Sequence, residues 1–190
     1  LSSTPNLVIF KSRGSGNWIV QHSSTGTQYT ILNSTGAAAS DSSVWNSAAT
    51  SSVVNFGTGF SGYSGSSAVM YCWTAISGYS AFGSYTGNAS SDGPFVYTGF
   101  KPRFVMIKST VETSNWFIYD TARNTYNAID TTLFPSASNA DYVDSTYAID
   151  VLSNGFKIRG TGQYGGYNNN GNAYVYACFA EVPTKYSLAR

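Results

Sequence analysis

Charge is what this chain has least of. Ten Lys and Arg stand against nine Asp and Glu in 190 residues, a net charge of +1, and the basic residues are scattered along the sequence. Binding a polyanion requires positive charge concentrated on one face, so nucleic acid is not an expected partner. Histidine occurs once, as His22, and cysteine twice, at Cys72 and Cys178. That leaves no cluster of zinc ligands, and a lone histidine among many serines is no catalytic triad; His22 is read as structural. No apolar run approaches the roughly 20 residues of a membrane helix, and no signal-peptide pattern is present, so membrane insertion is not expected. Nor do apolar residues keep helical spacing over three turns, because Gly or Ser interrupts nearly every candidate.

What the chain does contain is aromatic: 11 Phe, 15 Tyr and 4 Trp, within an apolar fraction of 42%. They recur in short clusters separated by Ser, Thr, Gly and Asn, the pattern of an ordered β-rich protein with a filled core.

The sequence also repeats itself. Residues 101–120, KPRFVMIKSTVETSNWFIYD, restate residues 4–21, TPNLVIFKSRGSGNWIVQ, with Pro5, Lys11, Ser12, Asn17 and Trp18 falling on Pro102, Lys108, Ser109, Asn115 and Trp116. The lysines give an offset of 108 − 11 = 97 and the cysteines one of 178 − 72 = 106. The chain is therefore a duplication, and its second copy has a longer loop between its last two strands.

In each copy two β-prone runs joined by a turn predict a hairpin: LVIFK with NWIVQ, then FVMIK with NWFIY. YTIL and VVNF are further strands of the first copy, and Trp45 is an anchor folded back from a polar connection. AVMYCWTAI has one strongly apolar face and a second nearly so, which predicts a central strand. The runs SYTGN and FVYTGF supply opening strands that the first copy lacks, so the chain is expected to begin inside its first unit. YNAID, AIDVL, the Asn154-Gly155 turn and AYVYACFAEV complete the second. Cys72 and Cys178 sit at matched places and are read as free core thiols; a disulfide would need their strands side by side.

Many short strands with polar turns point to an all-β, antiparallel β-sandwich built from two tandem repeats. The expected division is 1–83 for an N-terminally incomplete first sandwich and 84–190 for the second. One larger lectin-like sandwich built from both repeats is the alternative.

Catalysis finds little support. Glycoside hydrolysis needs two carboxylates roughly 5 to 9.5 Å apart, and no strand-spaced acidic pair occurs; Asp141 and Asp144 come nearest and read as turn residues. No catalytic residue, metal ligand or cofactor is assigned, and calcium at Asp141 and Asp144 has only weak support. Sugar binding asks for less: aromatic faces in loops, with amides or charges to meet hydroxyls. The longer loop meets that condition through Tyr164, Tyr167, Asn168, Asn169 and Asn170, with Arg159 at its edge.

The long run YCWTAISGYSAFGSYTGNASSDGPFVYTGFKPRFVMIK, together with GNWIV and SNWFIY, resembles a repeated β-rich module of bacteriophage tail fibres and related appendage proteins, many from marine and cyanobacterial hosts. The resemblance covers nearly the whole chain. A closing pattern of Asn, Gly and Tyr at intervals of three stands at Asn168, Gly171 and Tyr174; in the first copy Gly65 survives, Ala68 replaces the Tyr and the Asn is gone. What the resemblance implies is a lectin- or glucanase-like sandwich at the outer surface of a virion, without a catalytic motif. It further implies homotrimers, other virion proteins as neighbours, and host surface polysaccharide or lipopolysaccharide as the partner. A spacer or decoration module that touches no ligand is the competing expectation.

Overall fold

A computed structural model describes residues 3–58, 67–161 and 166–180. In chain order the strands are β1 (Leu7–Ser12), β2 (Ile19–His22), β3 (Tyr29–Ile31), β4 (Ala68–Trp73), β5 (Ser80–Thr86), β6 (Phe95–Tyr97) and β7 (Pro102–Ser109). There follow β8 (Trp116–Asp120), β9 (Thr131–Thr132), β10 (Tyr142–Val143), β11 (Ile149–Leu152), β12 (Gly155–Ile158) and β13 (Ala173–Ala180). Every strand pair is antiparallel. The fold is an all-β sandwich.

Both predicted hairpins form. β1 pairs with β2 and β7 with β8, and the equivalent strands β4 and β13 lie on the other side of β1 and β7. The first repeat thus makes a sheet of order β3-β2-β1-β4, and the second a sheet of order β5-β13-β7-β8. A third sheet, β11-β12-β6, belongs to the second repeat, and β9 and β10 form a two-stranded ribbon.

The apolar runs in these strands are unbroken, so successive side chains load opposite faces and both faces need cover. On one face of the β5-β13-β7-β8 sheet, Val105, Ile107, Phe117, Tyr119, Tyr174, Tyr176 and Cys178 pack with Val96, Ile149, Val151, Phe156 and Ile158 of the third sheet. This closes the second repeat as a two-sheet sandwich. The opposite face offers Met106, Trp116 and Ala177, which meet Leu7, Ile9 and Val20 of the first repeat. The outer face of the first sheet, Val8, Phe10 and Ile19, is covered by Trp45, Val44, Val54 and Phe56 from an irregular segment. Trp45 is buried there as an anchor.

The sheets therefore stack in three layers, with the second repeat's main sheet in the middle. Two independent tandem sandwiches were expected. Instead the first repeat supplies one sheet and an irregular cover and shares a core with the second, which is closer to the alternative of a body built from both repeats. The 83/84 boundary falls inside β5, which pairs with β13 from Ala173↔Thr86 to Phe179↔Ser80. VVNF is not a strand; Phe56 makes only an isolated bridge to Trp45. β4 is an edge strand, not a central one, because β13 has β5 beside it and β4 has no such neighbour among the described residues. Cys72 and Cys178 are free thiols in different sheets.

Polar contacts seal the junction. Trp116 Nε1 donates to Ile31 O at 2.9 Å, and Lys108 Nζ donates to Thr35 O at 3.2 Å and to Ser114 O at 3.0 Å. Backbone bonds join Ala38 N to Thr110 O and Ser114 N to Thr35 O. His22 is buried at the same junction. Its Nδ1 accepts from Ser24 N at 3.1 Å, which leaves Nε2 as the protonated nitrogen donating to Tyr176 O at 3.0 Å. Burial is the main cause that lowers the His22 pKa to about 4, partly opposed by the bond to Tyr176.

Candidate functional site

The longer loop leaves β12 at Arg159 and returns to β13, and most of its described side chains are used internally. Tyr167 is 0% exposed. Its ring lies 5.2 Å from that of Phe117, its hydroxyl donates to Ala148 O at 3.0 Å, and its carbonyl accepts from the Tyr85 hydroxyl at 3.1 Å. Asn168 is also 0% exposed. Its Nδ2 donates to Ser90 O at 2.9 Å and Gly160 O at 3.0 Å, and its Oδ1 accepts from Asn88 N at 3.0 Å. A ring and an amide so enclosed cannot reach a sugar, and Tyr167 and Asn168 leave the set of contact residues.

Asn169 is half-buried. Its Nδ2 donates to both oxygens of Glu112, at 2.9 and 3.1 Å, and its backbone N donates to Tyr174 Oη, which itself donates to Glu112 Oε1. Gly171 then takes a left-handed φ of 77°, which any side chain would strain. The Asn168, Gly171 and Tyr174 pattern is thus a device for fastening the loop.

Two of the remaining residues lie at the surface. Asn170 is exposed at the turn. Arg159 is exposed, and its Nε sits 3.3 Å from Asp150 Oδ2; Lys157 pairs with Asp92 at 2.6 Å. Tyr164 lies outside the described residues.

A pocket lies elsewhere, beyond the end of β8. Asp120 Oδ1 accepts from Ala122 N at 2.8 Å and from Arg103 Nε at 3.2 Å, so the carboxylate shapes the turn that follows the strand. Asn127 then pairs with Val151 of β11 as a strand would: Nδ2 donates to Val151 O and Oδ1 accepts from Val151 N, each at 2.9 Å. With the chain held at both points, residues 121–127 bound a pocket of about 220 Å³ lined by Lys101, Thr121, Thr125, Tyr126, Asn127, Ile129 and Val151. Ile129 and Val151 are buried and apolar, the threonines bring hydroxyls, and the Tyr126 side chain stands 83% exposed. The volume is below the roughly 300–1,000 Å³ of sites for drug-sized ligands, which suits a single small ring.

Sequence reasoning missed this pocket because Tyr126 matches Tyr29 in the repeat and YNAID was read as a strand. Tyr29 does lie in β3, half-buried; Tyr126 does not lie in a strand. The polar neighbours Asn124, Thr125 and Asn127 were the available signal, since they favour a turn over a strand.

Several of the described carboxylates serve as caps or ion partners. Asp41 and Asp144 accept from Ser43 and Thr146, and Asp92 pairs first with Lys157; all three are held below the usual carboxylate range. That shift is opposite to the one a general acid in glycoside cleavage requires. Asp141 is bound by Arg123. Among the described residues no three His, Cys, Asp or Glu side chains gather as a metal site.

These features define an antiparallel β-sandwich protein built on a duplicated unit, with a small surface pocket rimmed by one exposed aromatic ring. Residues 1–183 match a family described as a domain of unknown function, DUF7483, and the chain belongs to that family. No curated protein and no solved structure matches it.

Proposed function

We propose that the chain is a non-catalytic segment of a phage tail fibre or similar virion appendage that recognises host cell-surface glycan. The setting rests on the resemblance of residues 71–108 to appendage modules. The binding role rests on one observation, the exposed Tyr126 ring beside a pocket with an apolar floor, two threonine hydroxyls and the Lys101 ammonium. An exposed aromatic face stacks on the C–H surface of a sugar, hydroxyls meet its polar edge, and an ammonium suits an acidic sugar or a phosphorylated core.

One such pocket is a weak site. In a homo-oligomer, which analogy with phage fibres makes a trimer, several pockets act together and avidity compensates for low single-site affinity. Asn170 and Arg159 lie at the surface of the separate longer loop and are not part of this pocket. Other virion proteins are the expected neighbours along the appendage.

The test is binding to host-derived polysaccharide and lipopolysaccharide. Wild-type protein is expected to bind, and Tyr126→Ala to lose at least about tenfold in affinity with its melting transition unchanged. Equal binding by the variant would remove the pocket from the proposal. Failure of the wild type to bind any host glycan would favour the spacer reading, and release of reducing sugar would restore a hydrolase.

A further inference from the structure

The duplication sets β4 beside a counterpart, β13. Strand β13 is bonded on both sides, to β7 and to β5. Its equivalent β4 is bonded only to β1 among the described residues. The matched cysteines set the correspondence, 178 − 72 = 106, so Tyr174, Tyr176 and Cys178 fall on Ala68, Met70 and Cys72. On β13 these three residues pair with Tyr85, Gly83 and Ala81 of β5.

The backbone of β4 is aimed the same way. Arg13 N donates to Ser67 O, and the register Lys11↔Val69 and Ile9↔Tyr71 continues the series, so the odd-numbered residues of β4 bond to β1. The N–H and C=O groups of Ala68, Met70 and Cys72 consequently point away from β1, toward the open side. Three other sheet margins are closed by neighbouring chain: β3 by Ala39, β8 by Leu133 and β11 by Ile129, each through two backbone bonds. β4 has no such cover among the described residues and carries neither a charge nor a proline, the usual devices that protect an edge. Its side chains are open as well, Met70 being 42% exposed, with Val69 and Tyr71 beside it.

We infer that the edge of β4 that the described residues leave open is a docking site for an added antiparallel strand of the β5 pattern, the opening strand of another unit of this family. It would seat its small residues opposite Cys72 and Met70 and its tyrosine opposite Ala68. Main-chain bonds supply most of the attraction in such strand addition, and alternate side chains supply selectivity. The fit is looser than in the second repeat. There a Cβ on Gly83 would come within 2.7 Å of the Tyr176 hydroxyl, a constraint that Met70 relaxes. The site is independent of the glycan reading.

The test adds a peptide with the sequence of residues 78–88, GYSAFGSYTGN, to the whole chain at millimolar concentration and follows amide hydrogen exchange. Exchange at Met70 and Cys72 is expected to slow about tenfold or more, while Val69 and Tyr71, already bonded to β1, do not change. Met70→Pro deletes an outward N–H and spares the β1 ladder. It should abolish the slowing while Val69 and Tyr71 stay protected, which verifies the fold. Unchanged rates with the peptide, equal slowing by a scrambled peptide, or slowing that follows protein concentration without peptide would each overturn the assignment; the last would give the edge to a second copy of the chain.

Discussion

The two copies of one hairpin do different work. In β1–β2, the Lys11 ammonium bonds Gly14 O at 2.9 Å and Ser12 O, within its own turn, and Trp18 is half-buried. In β7–β8, Lys108 also ties its own turn, through Ser114 O, but it is fully buried and reaches Thr35 O in the other repeat. Burial pushes the Lys108 pKa down to about 8, with Glu112 partly opposing. Trp116 is buried and donates across the junction to Ile31 O. The local task of the lysine is common to both copies. The inter-repeat task exists only in the second, because its sheet lies in the middle of the stack and must satisfy neighbours on two faces.

The comparison breaks most visibly at the tryptophans. Trp116→Ala should destabilise the protein by about 3–5 kcal/mol, the range for a large buried aromatic, and by clearly more than Trp18→Ala, in a denaturant titration.

Acid should open the same junction. The folded pKa of His22, about 4, lies below the ordinary histidine value of 6.5, so the stability that depends on a neutral ring is complete above 6.5. It is lost as pH falls toward 4, because the unfolded chain takes up the proton first. The loss approaches about 3 kcal/mol. Melting temperature measured across that window should fall in the wild type, and His22→Gln should flatten this part of the profile.

Within the longer loop the contrast is between two amides of one asparagine run. Asn168→Ala removes the partner of Asn88 N and leaves two carbonyls unmet, and should cost about 1–3 kcal/mol. Asn170→Ala, at the exposed turn, should stay within about 0.5 kcal/mol by the same titration.

The hairpins, the sandwich class and the Trp45 anchor were legible because they are local: alternation, turn chemistry and a repeated motif lie within short stretches. The layering was partly legible, since runs such as LVIF and FVMI leave no face for solvent, but a run does not say which sheet covers it. Strand AVMYCW looked central for the same reason; its apolar faces were visible, its neighbours were not. Tyr167 and Asn168 were misplaced because an Asn in a Gly-rich loop ordinarily faces water. Burying one needs partners for its amide, and here they come from Asn88 and Ser90, about 80 residues away in the chain. The Tyr126 pocket was hidden by the repeat itself, which matched Tyr126 to a strand residue although the two copies fold differently at that point.

That asymmetry, one sheet of the first repeat resting on a complete sandwich of the second, is tested most directly by native-state hydrogen exchange under increasing denaturant. Amides of β1 and β2 should exchange through the same global opening as those of β7 and β13, with Trp116→Ala lowering the protection of both groups. Exchange of β1 and β2 through a separate, smaller opening that Trp116→Ala leaves untouched would contradict the shared core.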